Sequence, residues 1–106
     1  MNDATTSLLR ALRMYIVNFM NFTSVNIDES RSRSWASGTF VGVRHAVTLT
    51  LSGEGAQQAA DAFVADLEEA EFALRGHILA SIALVSRETN GLCARIAIEA
   101  LTVEDA

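Results

Sequence analysis

The sequence predicts a single small α+β domain: a two-layer sandwich with a four-stranded antiparallel sheet of ββαββ order, one helix on one face, and an N-terminal amphipathic helix ahead of it. Three observations predict it. The chain has 106 residues, 50% apolar and 20% charged, which is the composition of one globular domain with a modest core. Two stretches repeat apolar residues at three- and four-residue steps, as helices do. The remaining apolar segments are short, β-branched and punctuated by glycine, as strands in hairpins are.

The first helical stretch is carried by Leu8, Leu9, Leu12, Tyr15, Ile16, Phe19 and Met20, with capping hydroxyls on Thr5, Thr6 and Ser7 just upstream. The bulky residues from Tyr15 to Phe22 also suit a strand, which is the competing reading of that run. Residues 28–34, Asp-Glu-Ser-Arg-Ser-Arg-Ser, show no apolar periodicity and predict a solvated linker. The expected organisation is therefore an apolar helix and polar linker over 1–34 and a ββαββ unit over 35–106, within one structural domain.

Two strands, 35–41 and 44–52, are expected to flank a two-residue turn at Gly42-Val43, because a type II′ loop needs positive φ at its first central position. That turn pairs Val41 with Arg44. It places Ala36, Phe40, Val47, Leu49 and Leu51 on one face, and Trp35, Ser37, Thr39, Val41, Arg44, Thr48 and Thr50 on the other.

Residues 56–74 predict the central helix, with Ala60, Phe63, Val64, Leu67, Ala70 and Leu74 as its inward stripe. Arg75 and Gly76 are placed to close it, through the helix dipole and a left-handed cap. Residues 77–88 and 92–103 predict the last hairpin. A three-residue loop, Thr89-Asn90-Gly91, matches Ile78, Ile82 and Leu84 with Ile96, Ile98 and Leu92 on the helix side. It leaves His77, Leu79, Ser81, Ala83, Val85 and Arg87 opposite Val103, Leu101, Glu99, Ala97, Arg95 and Cys93 on the second face.

Charge and cysteine usage narrow the function classes. Thirteen acids against eight arginines, with no lysine, give a net charge of −5, so neither nucleic acid nor an anionic membrane surface is an expected partner. The single cysteine, Cys93, allows no internal disulfide, and cytoplasm is the expected compartment. The lysine-free, proline-free, alanine-rich composition points to a bacterial source. Asp3 ahead of the first apolar run, with Arg10 and Arg13 inside it, is the wrong charge order for a secretory signal, and no apolar run is long enough to span a bilayer.

No catalytic or cofactor signature emerges. Gly53-Glu54-Gly55 sits where a phosphate loop would, yet Gln58 stands in place of the third glycine and Glu54 would face the phosphate. Cys93 and His77 fall at opposite ends of the last hairpin, about 33 Å apart at strand rise, too far for a nucleophile and its base. Two histidines and one cysteine give no metal-ligand spacing, so no metal or cofactor is expected.

What remains is the second sheet face, where Trp35, Arg44, Arg87, Arg95 and Glu99 stand among small and aliphatic residues. Arginine and tryptophan are enriched in recognition surfaces, and arginine binds carboxylates in a bidentate way. That face must be covered by the N-terminal segment, a second subunit or a ligand. The leading expectation is a non-enzymatic interaction or oligomerisation domain, a homodimer. The alternative is a sensor of a small anionic or aromatic ligand, and the third reading is a small enzyme using His45 or His77.

Overall fold

The computed structural model describes residues 3–17, 24–72, 74 and 76–104. It contains α1 (Asp3–Val17), β1 (Ser24–Ser37), β2 (Phe40–Ser52), α2 (Ala56–Asp66), a single 3-10 turn (Leu67–Glu69), β3 (His77–Asn90) and β4 (Cys93–Glu104). The four strands form one antiparallel sheet in the order β1-β2-β4-β3, so the expected α+β fold with one sheet and ββαββ order is what the chain adopts. Phe19, Met20, Phe22 and Arg75, which the sequence reading assigned to the first helix and to a helix cap, lie outside the described residues.

Both helices pack on one face of the sheet. Leu8, Leu12 and Ile16 of α1 are fully buried and share one core with Phe63 and Ala60 of α2, Val47, Leu49 and Leu51 of β2, Ile82 of β3, and Ala94, Ile96 and Ile98 of β4. Tyr15 bridges the two helices, edge-on to Phe63 at 6.0 Å and to Phe72 at 5.1 Å. Burying the apolar stripes of both helices against alternate sheet residues removes from water the surface that drives the collapse. The N-terminal segment therefore covers the face that α2 also covers, and the second face of the sheet carries neither helix.

Four expectations are corrected. Residues 28–34 are strand and not linker: β1 pairs with β2 along its whole length, from Ser24 opposite Ser52 to Ser37 opposite Phe40. The first hairpin turns at Gly38-Thr39, not Gly42-Val43; Gly38 has φ +57°, the left-handed conformation that the loop demands. The positive-φ glycine of the hairpin is Gly38 and not Gly42, and Phe40 consequently lies on the open face, 59% exposed, and not in the core.

α2 ends at Asp66, with Ala70 already extended at φ −67°, ψ 136°. Asp66, Glu68, Glu69 and Glu71 would crowd carboxylates onto the negative end of the helix dipole, and no basic residue stands in its last turn. The last hairpin turns through Gly91-Leu92, with Asn90 opposite Cys93, and keeps its apolar register by register shifts at Ala80 and Val85. A bulge moves the following residues to the other face. Hence Ile82 enters the core as expected, Ile78 is exposed on the open face, and His77, Leu79 and Arg87 turn to the helix side.

Candidate functional site

Cross-strand partners in register share a face, so the pairing maps the open side of the sheet row by row. One end is apolar: Trp35, Gly42, Val103 and Ile78 form a row, with Phe40 one step further out. The next row is Arg33, Arg44, Leu101 and Ser81, followed by Arg31, Ala46, Glu99 and Ala83. Beyond it come Glu29, Thr48, Ala97 and Ser86, and then Thr50, Arg95 and Glu88.

Alanine and serine in the middle of the sheet leave a groove of about 560 Å³, lined by Arg31, Arg33, Arg44, Ser81, Ala83, Glu99 and Leu101 among others. Arg31 is engaged by Glu29 at 2.6 Å, whereas Arg33, Arg44 and Glu99 form no ion pair with a described residue.

Of the residues singled out from sequence, Trp35, Arg44, Arg95 and Glu99 share this open face, spread along its length. Trp35 lies over Gly42, with its indole Nε1 buried and lacking a hydrogen-bond partner among the described residues. Arg95 stands near Asp28, whose bulged position turns its carboxylate onto the same face. Hydrogen bonds, first from the Thr50 hydroxyl at 2.5 Å and then from the Asn26 amide at 2.6 Å, hold that carboxyl below its usual range, and Arg95 adds to the effect.

Arg87 does not belong to this surface. It lies on the helix side, where it binds Asp61 at 2.7 Å and reaches the Gln57 carbonyl. Gln57 in turn donates to the carbonyls of Gly91 and Cys93, so this cluster fastens the start of α2 to the last hairpin. Arg31, Arg33, Phe40 and Ile78 were missed. The first two were hidden by reading their strand as a linker.

Of the two histidines in the enzyme reading, His45 is built into the interior. His45 is 2% exposed on the helix side, where its Nε2 meets the Thr102 hydroxyl at 2.9 Å and its Nδ1 meets Ser32 Oγ at 3.5 Å. Thr102 donates to the Val43 carbonyl, which leaves its oxygen to accept from Nε2–H, and Ser32 is joined to Thr5 of α1 at 2.6 Å. The chain of hydroxyls and imidazole thus ties α1, β1, β2 and β4 together. Cys93 is exposed, seven residues along β2 from the His45 position and on the opposite face, so no Cys-His pair forms. No group of three metal-ligating side chains occurs among the described residues.

Burial, and secondarily the charge of His77, hold the His45 imidazole below its usual pKa. The unfolded chain therefore takes up a proton as pH falls through about 6.5 while the folded chain resists it, so this contribution to stability is present above about 6.5 and is lost on acidification. The melting temperature should fall between pH 7.5 and 5.5, and His45→Gln should flatten that slope. Identical slopes for the two proteins would remove His45 from the acid response.

No helix among the described residues is long and apolar enough to cross a membrane. No protein-family model matches the chain, and no curated protein matches it significantly. Among solved structures, a chain from one described as "Virion of native gene transfer agent (GTA) particle" superposes on 96% of this chain and 92% of its own length, with a TM-score of 0.55 and 18% sequence identity. At that identity the likeness is one of fold.

Proposed function

We propose that this protein is a non-catalytic assembly subunit that binds protein chains, copies of itself included, through the open face of its sheet. The uncovered face carries the reading. It combines an apolar end, with Phe40 59% and Ile78 54% exposed beside Trp35, and a groove walled by arginines, while α1 and α2 both occupy the other side. Exposed apolar side chains next to arginine and tryptophan are the composition of a contact surface. The fold shared with a chain of the gene transfer agent virion structure supports the same reading. The cytoplasm of a bacterium is the proposed setting, where a lone exposed thiol stays reduced.

Sedimentation velocity across the micromolar range should give masses above one chain. Trp35, the only tryptophan, should become shielded from an aqueous quencher as association proceeds. A mass of one chain throughout, with unchanged quenching, overturns the proposal. A second reading, capture of a small anion, is favoured by the same arginine-lined groove. It predicts that citrate raises the melting temperature of a chain that stays single.

A further inference from the structure

We infer that Arg33 and Arg44 receive the acidic 66–71 segment of a neighbouring copy, so that copies join head to tail. The inference rests on the assembly reading above and names its partner surface.

Arg33 and Arg44 are direct cross-strand partners on the open face, both exposed, and neither is ion-paired to a described residue. Like charges placed directly opposite each other weaken a strand pair. Two guanidinium groups side by side nevertheless suit a bridging carboxylate, since each offers a planar fork of donors. Arg31 in the next row is already held by Glu29, and Glu99, the single acid among the described residues lining the groove, lies across Ala46 from it.

The complementary element is on the same chain. Asp66, Glu68, Glu69 and Glu71 put four carboxylates into six residues at the end of α2, all exposed and none ion-paired to a described residue. This segment belongs to the helix layer, on the far side of the sheet from the arginine pair, so one chain cannot close the contact on itself. Face-to-face pairing of two open sheets would instead bring four arginines together. Charge therefore favours a heterologous contact, in which the acidic segment of one copy enters the groove of the next and each added copy presents a fresh pair of ends.

Two charge reversals and their mixture test this by sedimentation velocity and native mass spectrometry, with circular dichroism confirming that each variant is folded. Arg33→Glu/Arg44→Glu and Glu68→Arg/Glu69→Arg should each weaken association at least about tenfold, and raising the salt concentration should weaken the wild type in the same direction. An equimolar mixture should recover association, because each variant then supplies the charge that the other has lost. Wild-type assembly left intact by both variants overturns the head-to-tail contact while sparing the assembly reading. Loss in both without recovery on mixing overturns the pairing of these two surfaces. A wild type that stays single at every concentration overturns the assembly reading itself. If citrate then stabilises the wild type but not Arg33→Gln/Arg44→Gln, the arginine pair passes to a free anion.

Discussion

A chain lacking residues 1–17 should lose its cooperative thermal transition and bind hydrophobic dyes. Leu8, Leu12 and Ile16 are fully buried in the core that α2 shares, and each such side chain contributes about 1.5–3 kcal/mol on leaving water. Three of them together amount to about 5–9 kcal/mol, within the roughly 5–15 kcal/mol by which whole domains are stable. The truncation also removes the Tyr15 ring that links Phe63 with Phe72, and the Thr5 hydroxyl that meets Ser32. A truncated chain that melts cooperatively within a few degrees of the full one would show that α1 is an accessory to the core. Among the three covers that the sequence allows for the Trp35 face is this helix. Because it lies on the other side of the sheet, any change in Trp35 emission should follow unfolding and not precede it.

That reversal has a physical origin. Amphipathic spacing reveals that Leu8, Leu12 and Ile16 must be buried, but not against which face. The elements that were legible are those whose apolar residues alternate or recur cleanly: Ala94, Ile96, Ile98 and Ala100 on β4, Val47, Leu49 and Leu51 on β2, Ala60 and Phe63 on α2, and Leu67 in the turn after it are all buried.

β1 escaped because its period of two is written in size and charge. Ser30, Ser32 and Ser34 face the helix side, while Glu29, Arg31, Arg33 and Trp35 face the open side. An edge strand exposed on both faces gives hydrophobic patterning nothing to detect, and charged residues there discourage unwanted edge pairing. The same blindness hid the site. With β1 read as a linker, Arg44 was found without its cross-strand partner Arg33. The bulge at Val85, which no local residue choice announces, carries Arg87 to the other side of the sheet from its expected place.

Gly42→Ala should destabilise the protein and disturb the apolar end of the open face together. Gly42 sits mid-strand, paired with Trp35 on one side and Val103 on the other, and no turn requires it. A Cβ built there would collide with the backbone carbonyl oxygen of Thr102 and would lie 2.7 Å from the Trp35 indole Nε1 and 3.0 Å from its Cε2. The indole can swing aside, but the carbonyl moves only if β2 and β4 separate. Overpacking of this kind costs about 1–3 kcal/mol and more where backbone must yield. For a domain of this size the melting temperature should fall by at least about 4 °C. Trp35 emission should shift to the red as the ring leaves the sheet. Trp35→Phe in the Gly42→Ala background separates the two collisions: the smaller ring relieves the indole contact and leaves the carbonyl contact in place, so most of the loss should persist. Full recovery in the double variant would mean that the indole alone reserves this position for glycine, and an unchanged melting temperature in Gly42→Ala would mean that the strands part without cost.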